Sequence, residues 1–141
     1  MRFLRAHAAL TRELNTRLIS EHGLTLNDYE VLLRLAHAPD RQMRRVDLAS
    51  EVLLTASGIT RLLEGLERAG YVERGQCASD ARVSYAVLTE AGLAKLREAA
   101  DTHLEGVHVL FLERFSDEER ATLGDLLGRL GGTEPASCSP D

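Results

Sequence analysis

The chain holds 141 residues, 44% hydrophobic and 28% charged, with a formal net charge of -5. That suits one ordinary globular domain with its own core and excludes both an intrinsically disordered chain and a globular fold with a separate catalytic domain. Arg5, His7, Arg12 and Glu13 interrupt the first residues, so neither a secretory apolar core nor a membrane span is expected there, and a cytoplasmic protein with no membrane partner is. Cys77 and Cys138 are the only cysteines and lie far apart, which points to reduced thiols and away from a disulfide framework.

In chain order, Phe3, Leu10, Leu14 and Leu18 recur at helical spacing until Gly23, predicting an amphipathic helix to about His22 with a glycine cap. Thr25 with Asp28 forms a capping box ahead of Tyr29, Leu32, Leu33 and Leu35, so a second helix runs up to Pro39. A polar, Arg-rich connection follows, and Val46, Leu48, Ala49 and Val52 mark a third helix of about two turns. Thr55 is a fitting N-cap for Ile59, Leu62, Leu63 and Leu66, whose spacing gives a fourth helix from Thr55 to Ala69, closed by Gly70. Tyr71-Val72 and Val83 to Leu88 have strand composition, with Gly75 to Arg82 polar and turn-like between them, so Arg74 to Val83 is expected to be a hairpin wing. Thr89 caps a long helix from about Glu90 past His108. Ser116 with Glu119 opens a last one reaching about Leu130, stopped by Gly131-Gly132, and residues 131–141 read as a disordered tail.

Short helix, turn, helix, strand, polar loop, strand is the order of a winged helix-turn-helix. The expected fold is therefore mainly α with a small β-hairpin wing, flanked by long apolar N- and C-terminal helices. A homodimer would bury the apolar faces of those helices and duplicate the recognition helix, as a palindromic site requires.

The net negative charge speaks against a nucleic-acid partner until its distribution is considered. Residues 39–88 hold seven arginines against seven acids, whereas residues 89–141 hold five basic against eleven acidic residues. The central segment can present a basic face if its acids point elsewhere. In the fourth helix the apolar residues face inward, leaving Ser57, Thr60, Arg61 and Glu64 outward. Ser57 and Thr60 can bond bases or phosphates, Gly58 permits close approach, and Arg61 can read guanine or clamp a phosphate. In the wing, Arg74 and Arg82 suit the narrow minor groove, and Asp80 can hold a guanidinium in a bidentate pair.

The runs that carry these features resemble the MarR (multiple antibiotic resistance regulator) family. They are Leu24-Thr25-Leu26, Val46-Asp47-Leu48-Ala49, the stretch from Ile59-Thr60-Arg61 through Gly70-Tyr71-Val72-Glu73-Arg74, Asp80-Ala81-Arg82 and Leu88-Thr89-Glu90-Ala91-Gly92. The resemblance implies a single domain over residues 1–130, with dimerisation helices at 1–22 and 90–130 and a winged helix-turn-helix at 25–88. It further implies a homodimeric repressor on a pseudo-palindromic site in double-stranded DNA, released by a small-molecule effector held between the dimerisation and DNA-binding regions. Relatives often carry Asp-Arg-Arg where this chain has Asp80-Ala81-Arg82, and the loop Gln76-Cys77-Ala78-Ser79 is less basic than usual. DNA contact is accordingly expected to lean on Arg44, Arg45, Arg61, Arg74 and Arg82.

Three alternatives compete with that account. Cys77 in the wing could make the protein redox-responsive, although only Arg74 and Arg82 stand near it in sequence to lower its pKa. Zinc could be sensed through the five histidines, but His103 and His108 are five apart and not at the i, i+4 spacing of a helical metal pair. The fold could also serve only to bind protein. No metalloprotease helix, phosphate-cradling glycine loop or nucleophile elbow is present, so neither an enzyme nor a resident cofactor is expected.

Overall fold

Four of the helices begin at side-chain caps that local sequence dictates, one of them at Thr89, whose Oγ1 accepts from Gly92 N at 3.0 Å. Thr25 Oγ1 accepts from Asp28 N while Asp28 Oδ2 accepts from Thr25 N, which starts α2 at Leu26–His37. Thr55 Oγ1 accepts from Gly58 N and starts α4 at Ala56–Arg68. Ser116 and Glu119 repeat the reciprocal box at the start of α6, Asp117–Gly128. Each pair satisfies N–H groups that a helix leaves orphaned. The structure, a computed structural model, describes residues 1–130, and the tail expected at 131–141 lies outside them.

Helix α1 spans Arg2–His22 and is closed by Gly23 at φ 66, a left-handed cap that glycine adopts without strain. After α2, a 3-10 turn at Pro39–Arg41 leads into β1, Gln42–Arg44, then α3, Arg45–Glu51. Strands β2, Val72–Gln76, and β3, Ser84–Leu88, form the hairpin, and α5 runs Glu90–Leu110. The wing is a three-stranded antiparallel sheet of order β1-β3-β2, not the two-stranded hairpin expected. The extra strand lies in what reads as a polar connection, because three residues are too few to show an alternation and only β3 supplies the partner. Gly75 and Gln76, expected in the loop, lie within β2, and Val83 precedes β3, so the loop is 77–83. Gly75 pairs with Tyr85, and a Cβ on it would lie 3.0 Å from Val87 Cγ2. Glycine keeps that row of the sheet uncrowded. Helix α6 ends at Gly128, two residues short of expectation.

Two compact units divide the chain, residues 1–104 and residues from Glu105 onward. In the first, Leu18, Val31, Leu32, Leu35, Leu48 and Leu63 are fully buried and join Ile59, Leu66, Val72, Ala86, Leu88, Leu93 and Leu96 in one core. This core ties the helix-turn-helix, the root of the wing and the start of α5 together. At that junction Thr89 N donates to Tyr71 O at 3.1 Å, and Thr89 Oγ1 donates to Gly70 O at 2.7 Å. A Cβ on Gly92 would overlap the Tyr71 carbonyl oxygen and lie 2.7 Å from Leu88 Cδ1. The Leu-Thr-x-x-Gly run is thus the joint that lets α5 approach the corner between α4 and β2. In the second unit the Phe111 and Phe115 rings lie 5.2 Å apart and Arg120 Nη1 donates to Leu112 O at 2.8 Å. None of the residues of α6 is buried. Among the described residues no helix is long and apolar enough to cross a membrane.

Candidate nucleic-acid interface

The turn between α3 and α4 is tight. Leu53 N donates to Ser50 O at 3.3 Å and Leu54 N to Ala49 O at 2.9 Å, with Leu53 itself at φ 55 and 91% exposed. A leucine in the left-handed region costs about 1–2 kcal/mol, and its side chain recovers nothing by burial. Beyond the turn, α4 separates its faces: Ile59, Leu63 and Leu66 are buried and Leu62 half-buried, while Ser57, Thr60, Arg61 and Glu64 are exposed. The far end closes on Gly70 at φ 77, with Gly70 N donating to Glu67 O and Tyr71 N to Leu66 O, both at 3.0 Å. These paired bonds satisfy the last carbonyls and turn the chain into the wing.

The outward residues differ in what they offer. Thr60 Oγ1 donates to Ala56 O at 2.9 Å, so outward it presents an acceptor and a methyl group. Ser57 Oγ lies 3.3 Å from Thr55 Oγ1. Gly58 has a reason of its own, since a Cβ there would stand 3.1 Å from Thr55 Oγ1 and crowd the cap. Of the arginines, none of the ion pairs among the described residues uses Arg44, Arg61 or Arg74, and all three are exposed. The register sets Arg44 opposite Tyr85 and Arg74 opposite Ala86, so these two project from opposite faces of the sheet.

In the wing loop Asp80 Oδ1 accepts from Arg82 N at 3.0 Å and from Arg82 Nε at 3.3 Å. The expected bidentate pair does not form. Asp80 instead engages only Nε, so neither terminal nitrogen of a side chain that is 92% exposed bonds to it.

Arg45, expected to contact DNA, is only 11% exposed and directs Nη1 to Glu67 Oε1 at 3.1 Å. Occupying the first position of α3 turns its side chain onto α4 and away from solvent. The acids that offset the arginines are partly neutralised in the same way: Glu51 pairs with Arg34 at 3.4 Å, Glu67 with Arg45 and Asp80 with Arg82. Arg41, at φ 53, pairs with Glu90 at 2.6 Å, a tie across 49 residues that no local pattern signals.

The histidines disperse. His22 Nε2 lies 2.7 Å from Thr102 Oγ1, His37 Nδ1 lies 2.8 Å from Leu33 O, His108 pairs with Glu113 at 3.1 Å, and His103 stacks on Tyr29 with ring centroids 4.5 Å apart. Burial pushes His103 below the usual imidazole range, with Glu30 partly opposing. Among the described residues no three His, Cys, Asp or Glu side chains gather in a group that could hold a metal. Cys77 Sγ lies 3.0 Å from Ser79 Oγ, and the hydrogen bond from that hydroxyl lowers the thiol's pKa. Sequence reasoning, which weighed only Arg74 and Arg82, missed this neighbour.

Comparison with known proteins gives the same architecture. The MarR family model matches residues 22–83. The chain is 34% identical over 112 residues to the HTH-type transcriptional repressor YetL of Bacillus subtilis, a match that covers 77% of this chain and 66% of YetL. AbsC, a MarR family transcriptional regulator from Streptomyces coelicolor, superposes with a TM-score of 0.86 at 33% identity, over 92% of this chain and 86% of AbsC. Sco3205, a MarR family regulator from the same organism solved in complex with DNA, superposes with a TM-score of 0.89 at 29% identity, over 96% and 85% of the two chains. The exposed polar face of α4, the wing with its free arginines and these likenesses together identify the chain as a member of the MarR family of transcriptional regulators.

Proposed function

We propose that this protein is a repressor that binds a pseudo-palindromic site in double-stranded DNA as a homodimer and leaves it on binding a small-molecule effector. The observation that carries DNA contact is the division of α4 into a buried apolar face and an exposed face of Ser57, Thr60, Arg61 and Glu64. Ser57, Thr60 and Arg61 meet the major groove, Arg82 reaches the minor groove, and Arg44 and Arg74 serve phosphates. Asp80 orients Arg82, and Gly58 serves the cap more than a close approach to DNA. Repression is supported by the likeness to YetL, which bears that name.

The dimer is supported by apolar side chains left in solvent. Phe3 and Leu4 on α1 are 51% and 62% exposed, and Leu126 on α6 and Leu130 just beyond it are 46% and 68% exposed. Apolar surface of that kind marks an association site. Effector release rests on the family resemblance, and no residue is assigned to it. The protein acts by binding and not by catalysis.

Salt dependence tests the proposal. Operator affinity should fall steeply with ionic strength, each phosphate contact adding about 0.9 to the logarithmic slope. Arg82→Ala should weaken binding about tenfold, the worth of a charged hydrogen bond, and Arg61→Ala should also change the preferred sequence. Wild-type binding by both variants would refute the assignment.

A further inference from the structure

Helices α3 and α4 are joined by chain at one end, through the turn in which Leu54 N donates to Ala49 O. At the other end of α3, its first residue, Arg45, sends Nη1 to Glu67 Oε1 near the end of α4, at 3.1 Å. Two rods joined at a turn form a hinge, and a link between their far parts fixes the angle. Glu67 stands about 18 Å along α4 from Thr55, so a small change in this link is a small change in angle. Yet a tilt of about 10° moves Arg61, about 9 Å from the pivot, by about 1.6 Å. That displacement is enough to lose a directional hydrogen bond.

Energetics argue that the pair is not there for stability. The two side chains are 11% and 27% exposed, and Arg45 Nη2 is buried with no partner. Removing two charges from water and leaving one donor group unmatched offsets most of the attraction, and apolar residues of similar size commonly hold such a site equally well. We infer that Arg45 and Glu67 are positioning residues. Their ion pair sets the angle of the recognition helix against α3 and so raises specific over non-specific DNA affinity, without touching DNA. The inference rests on the DNA-binding reading above.

The test uses duplexes selected from a random pool by the wild-type full-length protein, with an unselected random duplex as control. Glu67→Gln removes a negative charge from the DNA-binding face, which by electrostatics alone strengthens binding. A positioning role predicts the opposite sign for the specific site alone: affinity for the selected duplex falls about five- to tenfold, while random-duplex affinity holds or rises slightly with the lost charge and the salt slope holds. The double variant Arg45→Met, Glu67→Leu should keep its melting temperature within about 3 °C or raise it and still lose preference for the selected duplex. Unchanged or tighter selected-duplex binding by Glu67→Gln overturns the role, as does full preference in a folded double variant. A fall in the salt slope in the double variant overturns it in favour of a direct phosphate contact by Arg45. If the wild type enriches no sequence and shows no steep salt dependence, the DNA-binding reading itself fails, a result distinct from all of these.

Discussion

Helices α4 and α6 are built by the same local rules and meet different fates. Both are capped by a hydroxyl side chain, at Thr55 and Ser116, and both carry apolar residues at helical spacing, Ile59, Leu62, Leu63 and Leu66 in one and Leu123, Leu126 and Leu127 in the other. Helix α4 buries Ile59, Leu63 and Leu66 against α3, β2 and the rest of the core, whereas none of the residues of α6 is buried. Caps and periodicity are sufficient to specify a helix. Burial requires a facing surface; among the described residues nothing buries the apolar face of α6, and the homodimer proposed above would supply one.

The contrast can be broken most severely at the joint that lets α5 dock beside α4. Gly92→Ala places a methyl group in the space of the Tyr71 carbonyl and against Leu88, so α5 must shift. Thermal unfolding should show a loss of several kcal/mol, about 3 or more, and a variant as stable as the wild type would contradict the crowding. Next comes the core of α4. Leu63, fully buried, should cost about 2–5 kcal/mol on replacement by alanine. The matching change in α6, Leu126→Asp, should leave secondary structure intact and instead shift sedimentation from dimer toward monomer. A dimer that persists in Leu126→Asp would separate the α6 face from association.

A smaller effect sharpens the comparison through pH. His103 is held below the ordinary imidazole value of about 6.5 by burial against Tyr29, in the unit that contains α4. The unfolded chain then binds the proton first as pH falls. The stabilisation is complete above that ordinary value and is lost as pH drops from it toward the lower folded value. Melting temperature should fall between pH 7.5 and 5.5, and His103→Gln should flatten the fall. An equal fall in the variant would assign the pH dependence to other groups.

Much of the fold was legible in the sequence because it is set by neighbours along the chain. The capping residues Thr25, Thr55 and Ser116, the glycines at 23 and 70, and the apolar stripe of α4 each act within one or two turns, so a linear pattern carries them. The exposed arginines were legible for the same reason: with Ile59, Leu63 and Leu66 assigned inward, helical geometry turns Arg61 outward. Strand β1 was not legible, since Gln42 to Arg44 become a strand only beside β3.

Sequence alone determined the order of the elements, their caps and the residue types offered on the outer face of α4, all consequences of short-range backbone hydrogen bonding and helical period. Tertiary structure decided what each charge does. Arg44, Arg45 and Arg82 look alike in a linear reading. Only the approach of α4 places Glu67 at 3.1 Å from Arg45 and removes it from solvent, whereas Asp80, two residues from Arg82, is a partner within local reach, and folding decided that it engages Nε alone and leaves that side chain in solvent. The reason is reach: a guanidinium on its flexible stem chooses among partners that folding brings within a few ångströms, and the sequence does not record which those are.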